Sequence, residues 1–242
     1  MSSFIAAFGW IFDPAHNVGP DGIPARLGEH MLYTLLTLVI AAAVAVPIGF
    51  LIGHTGRGRG LAVQISGGLR SLPTLGLVIL LALLLGIGLI GPLIALVVIA
   101  IPPLLAGAYA GVESVDRATV DAARAVGMTE WQILWKVEVP IGLPLIVGGL
   151  RSAALQAIAT WTVAAYIPLG GLGRYLYDAL PLRDYPQMLA GAILVIALAL
   201  VVDGLFAIVQ RLVTPRGVSE GRVSEVHDTM RSASGRGAVL AD

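Results

Sequence analysis

The sequence predicts an all-α, polytopic membrane protein with about five transmembrane helices, its N-terminus outside and its C-terminus inside. Three observations predict it. Charged residues make up only 12% of the 242 positions, hydrophobic residues 57%, and the mean hydropathy is +0.89. Soluble domains carry about 25% charged residues, so this chain cannot clothe an ordinary water-facing surface. Second, runs without a single charge are long enough to cross a bilayer, for which about 20 apolar residues suffice. Third, the basic residues segregate to one side of those runs. The composition also argues against several function classes. Fifteen Lys and Arg against fifteen Asp and Glu leave no basic field to attract nucleic acid. With no cysteine there is no disulfide framework, thiolate zinc site or cysteine nucleophile.

Taken in order, residues 1–30 form an N-terminal segment on the outer side. Its apolar run Phe4–Phe12 is too short to span and has no basic flank before it, so it reads as an interfacial stretch rather than a secretory signal. Residues 31–213 form the transmembrane domain. Met31 to Gly53 carries no charge and is the first span, 31–53. Ser71 to Val112 is uncharged for 42 residues, and Gly86, Gly88, Gly91 and Pro92 break it near the middle. A tight hairpin of two spans, about 72–90 and 92–112, follows. A polar segment, 113–140, precedes the fourth span, 143–167, which contains Arg151. The outer loop 168–186 offers turn glycines at 170, 171 and 173 and three tyrosines, Tyr175, Tyr177 and Tyr185, as contact area for a partner or as plain surface. The fifth span, 187–213, contains Asp203. The tail 214–242 is rich in Ser, Gly and Arg, the composition of a flexible segment.

Orientation follows from the basic residues. Arg57, Arg59, Arg70, Arg117, Arg124, Lys136, Arg211, Arg216, Arg222, Arg231 and Arg236 fall on one side of this topology, and only Arg26, Arg174 and Arg183 on the other. The side with eleven is the cytoplasmic one.

Motifs for chemistry are missing. Gly86-Ile87-Gly88-Leu89-Ile90-Gly91 matches G-x-G-x-x-G, but it lies in an apolar hairpin with no strand before it and no acidic residue about 20 positions on. No P-loop exists, and the only lysine is Lys136. His16, His30, His54 and His227 lie far apart, so no metal-binding spacing appears. Gly107 and Gly111, four apart, suit close helix packing.

The segment 113–140 is too polar to span and too patterned for a slack loop. Ser114 reads as an N-cap, and the apolar positions from Val115 to Val126 interleave with Asp116, Arg117, Asp121 and Arg124 as on an amphipathic helix. Gly127 ends it as a C′ glycine. Thr129-Glu130-Trp131-Gln132 fits a capping box for a second helix, about 130–137, which Pro140 and Pro144 are expected to end. Two uses suit such a pair: an interfacial anchor held by Trp131 and Trp135, or a docking element for a cytoplasmic partner.

Asp121-Ala122-Ala123-x3-Gly127-x9-Val137-x-Val139-Pro140 resembles the EAA motif, E-A-A-x3-G-x9-I-x-L-P, of the permease subunits of binding-protein-dependent type I ABC importers. Aspartate stands for glutamate, and valines for the isoleucine and leucine. The resemblance implies the permease fold of that family and makes Asp121, Ala122, Ala123, Gly127 and Pro140 the residues of the loop that couples to the ATPase. The chain would then hydrolyse nothing itself: ATP would bind to cytoplasmic ATPase subunits, an extracytoplasmic binding protein would deliver the solute, and a second permease subunit, identical or paralogous, would complete the path in a bacterial plasma membrane. Residues 127–140, Pro73-Thr74-Leu75, Gly86-Ile87-Gly88, Tyr109-x-Gly111-Val112 and Gly170-Gly171-Leu172-Gly173 are also similar to the osmoprotectant permeases. That likeness implies glycine betaine, choline, carnitine or proline as solute, with an amino acid or another small solute as the alternative. An ion-coupled carrier would instead need intramembrane carboxylates, and Asp203 is the only one.

Apart from Arg211 at the cytoplasmic end of the fifth span, Arg151 and Asp203 are the only charges within the spans. Intramembrane charges are paired or face a cavity. Each lies eight residues, about 12 Å, from the cytoplasmic end of its span, so an intramembrane ion pair is expected, with a lone snorkelling Arg151 as the alternative. Gln156, Thr160, Trp161 and Tyr166 put polar and aromatic groups on the fourth span. They suit a translocation path for a quaternary ammonium solute, or an aromatic belt near the outer headgroups.

Overall fold

The computed structural model describes residues 2–214; the tail expected over 214–242 lies, beyond Thr214, outside the described residues. All regular structure among the described residues is helical. A short helix α1 (Ser2–Phe12) leads through a single turn of 3-10 helix into α2 (Ile23–Thr55). The latter starts at Gly22, with Pro24 in its first turn where a missing N–H needs no partner. It stops at Gly56, whose left-handed φ of 69° turns its N–H back to the Ile52 carbonyl. Its 33 residues are about 50 Å long, longer than a bilayer requires. The excess is the polar turns before residue 31, which extend the expected span outward.

The stretch 54–71, expected as a loop, instead forms α3 (Arg59–Arg70). It joins α4 (Thr74–Leu85) through a bend of 83° at Ser71–Pro73. Arg59 pairs with Glu113 at one end of α5 (Ile90–Glu113). Ala62 enters the same buried cluster as Leu104 and Leu105. At the other end, Gly91 presses on the backbone of Leu81 and Ala82. The bent pair therefore touches α5 at both of its ends. Among the described residues four helices are long and apolar enough to cross a membrane by themselves, and the number is five when the bent pair is counted as one span. The polar residues of α3 conceal its periodicity in the sequence, since only Ala62 is fully inward.

α6 (Arg117–Ala125) and the single-turn α7 (Glu130–Ile133) follow. Ser114 does not start α6. It closes α5 by donating its hydroxyl to the Gly111 carbonyl, and Asp116 caps α6 by accepting from the Ala118 amide. Nor do Pro140 and Pro144 end the second cytoplasmic helix. α7 continues through a π turn (Leu134–Glu138) into α8 (Val139–Ala164) without a break. Pro140 falls in the first turn of α8, and the wider π turn relieves the ladder where its N–H is missing. α9 (Arg174–Ala179) sits in the outer loop, and α10 (Tyr185–Val213) packs on α8 and α1.

Small residues set the packing. Ala41, Ala45, Ala100 and Ala153 are buried where α2, α5 and α8 meet. A Cβ on Gly107 would fall 2.5 Å from Gly149 Cα, and one on Gly111 would fall 2.8 Å from the Gly142 carbonyl oxygen. The Gly107–Gly111 pair thus serves contact within the subunit, where backbone touches backbone.

Candidate functional site

The α6–α7 pair is built by its own caps. The Gly127 amide, at φ 87°, donates to the Arg124 carbonyl, and the Met128 amide donates to the Ala123 carbonyl. This is the Schellman arrangement, which satisfies the last carbonyls of α6. The Thr129 hydroxyl accepts from the Gln132 amide at 3.3 Å, and the Gln132 side chain accepts from the Thr129 amide at 2.9 Å. Val115, Val120, Ala123 and Ile133 close a small core beneath the pair. Of the expected coupling residues, Asp121 and Ala122 lie on the surface, Gly127 shapes the turn, and Pro140 begins α8. Ala123 points inward, so it supports the pair rather than presenting a docking face. The reason is helical phase: Ala123 lies three residues after buried Val120, on the same side.

Arg124 locks the outer face. Its guanidinium donates to both carboxylate oxygens of Glu130, at 2.7 and 3.0 Å, and to Asp121 at 2.9 Å. The bonds to Glu130, ahead of those to Asp121, hold the guanidinium above its ordinary value. Beyond Glu130 the contacts continue inward. His54 Nε2 lies 3.1 Å from Glu130, and His54 Nδ1 lies 2.5 Å from Glu138, which is only 2% exposed.

Arg151 and Asp203 meet in a two-pronged pair. Arg151 Nε and Nη2 donate to Asp203 Oδ1 and Oδ2 at 2.6 and 2.7 Å. Gln210 extends the group: its amide nitrogen donates to the Pro144 carbonyl at 3.0 Å, and its oxygen faces Arg151. α8 and α10 are tied at this depth.

The remaining candidates on α8 do not converge. Trp161 is 3% exposed, donates to the Thr37 hydroxyl at 2.9 Å and lies against Tyr33. It is a packing residue inside the subunit in this conformation, drawn inward by a hydrogen-bond acceptor on α2. Thr160 donates to the Gln156 carbonyl, and both are half-buried on one face of α8. Tyr166 is exposed and stands edge-on to Tyr177. The outer loop is also more ordered than its glycines suggest. Gly170 and Gly171 take left-handed backbones, and the Gly171 amide donates to Glu29 at 2.8 Å. Tyr175 is buried and donates to the Asp21 carbonyl, and its burial pushes the phenol up to about 12. Tyr177 donates to the Val163 carbonyl. Of the three expected contact tyrosines only Tyr185 is left exposed.

Residues 45–215 match the model of the binding-protein-dependent transport system inner membrane component. The chain belongs to that family. It is the permease family of type I ABC importers, whose members are membrane transport subunits. The glycine betaine/carnitine/choline transport system permease protein OpuCB of Bacillus subtilis is 31% identical over 193 residues, covering 80% of this chain and 89% of that protein. The carnitine transport permease protein OpuCB of Listeria monocytogenes is 33% identical over 194 residues, again 80% and 89%. Among solved structures, the inward-facing MetNI methionine ABC transporter aligns with a TM-score of 0.71 at 21% identity, over 78% of this chain and 95% of that one. At that identity the likeness speaks for the fold.

Proposed function

We propose that this permease carries an osmoprotectant of the glycine betaine, choline, carnitine or proline type into the cell. ATP hydrolysis on partner ATPase subunits drives it, and a binding protein on the outer face delivers the solute. The observation that carries the reading is the α6–α7 pair: a rigid, doubly capped helical elbow with Asp121 and Ala122 on its surface and continuous backbone into α8. Movement of such an elbow is movement of a transmembrane helix. The osmolyte assignment draws its support from the relatives, whose names specify glycine betaine, carnitine and choline. A second permease subunit shares the path, the basic face lies in the cytoplasm, and the Arg151–Asp203 pair fixes α8 to α10 within the bilayer.

Growth tests it. In a host stripped of its own osmolyte importers, the complete system is expected to restore growth in high salt when glycine betaine, carnitine or choline is supplied. Ala122→Trp, which places bulk on the exposed face of α6, is expected to abolish the rescue while leaving membrane levels normal. Rescue by the Ala122→Trp system, or rescue by the permease without its ATPase, would overturn the reading.

A further inference from the structure

We infer that His54 is a positioning residue that latches the α6–α7 elbow onto the inner end of α2. The inference deepens the proposed function and rests on it. His54 is the penultimate residue of α2, and its two ring nitrogens face two carboxyl groups, Glu130 at the start of α7 and Glu138 at the end of the π turn. Both ring nitrogens thus have a carboxyl group within hydrogen-bonding distance. Through this ring a continuous run of polar side-chain contacts extends outward: Glu138, His54, Glu130, Arg124 and Asp121. Its inner end is buried, and its outer end is the acidic residue of the D-A-A run.

The anchor cannot slide. Gly53, next to His54, lies so close to α5 that a Cβ would sit 2.7 Å from the Tyr109 carbonyl oxygen and 2.7 Å from Val112 Cβ. An aromatic contact runs parallel to the polar one. Phe50, one turn earlier, meets Trp135 of the π turn edge-on at 5.7 Å, and Trp135 in turn meets Trp131 at 5.5 Å. The π turn is what allows this double seating. Its extra residue turns Trp135 and Glu138 toward α2, where an unbroken α-helix would present a different phase. Glu138, 2% exposed, has His54 as its recorded side-chain partner, so withdrawing the ring leaves an uncompensated buried carboxylate. A displacement of α6–α7 is therefore passed to α2 as well as to α8, and the two spans move as one body.

The test needs two readouts. Amide hydrogen exchange is measured over 117–133 in the permease alone in lipid nanodiscs, with wild type, His54→Phe and Glu130→Gln. Loss of one of these side-chain contacts is expected to speed exchange over this segment by about tenfold in both variants, with 31–50 unchanged. His54→Gln, which keeps one donor, is expected to restore part of the protection. In the complete reconstituted transporter, solute imported per ATP hydrolysed is expected to fall in the same order. If His54→Phe fails to fold, His54→Gln decides, because it changes only the ring and leaves the Arg124–Glu130 pair in place. Wild-type exchange over 117–133 in these variants overturns the latch. Faster exchange combined with an unaltered import-to-ATP ratio overturns its role in transmission. If the wild-type complex imports none of the four osmolytes while exchange still depends on His54, the latch stands and the substrate reading falls.

Discussion

Gly142→Val is expected to lose most of the folded protein. The Gly142 α-carbon faces the Gly111 backbone so closely that an added Cβ would overlap its carbonyl, and Gly107 and Gly149 meet in the same way two turns along. A flexible side chain would swing aside, but backbone atoms of a packed helix cannot, so α5 and α8 must separate along their contact. Overpacking in a well-filled interior costs about 1–3 kcal/mol, and the upper end applies where both neighbours are backbone. Thermal unfolding in detergent checks this, with Gly204→Ala as the control. A Cβ on Gly204 would meet nothing within 4 Å, and alanine favours helix, so this variant is expected to unfold at the wild-type temperature or slightly above. Equal melting of the two variants would remove the glycine contact from the account.

The second large effect is expected at Arg151 and Asp203. Either alanine replacement leaves one charge on a membrane-spanning helix without its partner, and such a charge is costly at bilayer depth. Each single variant is expected to reach the membrane in much reduced amount. The exchanged pair, Arg151→Asp with Asp203→Arg, restores opposite charges at the same depth and is expected to recover part of the yield. Full recovery is not expected, because Gln210 is placed to accept from a guanidinium on α8 and not on its own helix. Losses that simply add in the exchanged protein would mean that the two charges are held independently.

Much of this architecture is legible in the sequence because bilayers impose strong rules. Uncharged runs mark α2 and α5, a run broken only by Asp203 marks α10, and the equal depth of Arg151 and Asp203 follows from counting residues along two helices. Gly127 and the Thr129–Gln132 box are local signals, and local chemistry forms them as expected. Two of the features that escaped share a cause: the deciding partner lies far away in the chain. Glu138 looks like one more polar residue before a span until α2 brings His54 to it from 84 positions away. Trp161 looks like a belt residue until Thr37, 124 positions earlier, accepts its indole N–H. Thr37 was the available signal, one of two threonine hydroxyls in an uncharged span. α3 escaped for a different reason. A helix that buries only one residue, Ala62, shows no apolar stripe, and three arginines at 57–70 gave it the look of a loop. The smooth entry into α8 was hidden because proline normally ends a helix, and the π turn that accommodates Pro140 has no sequence signature of its own.

The most direct test is uptake of labelled glycine betaine into proteoliposomes that contain this chain, its ATPase and its binding protein. ATP supplied on the ATPase side, with binding protein and solute on the other, is expected to drive accumulation. Removing ATP should stop it, collapsing all ion gradients should leave it intact, and Ala122→Trp should abolish it in vesicles holding the same amount of protein. Accumulation that follows an ion gradient in the absence of ATP would contradict the account.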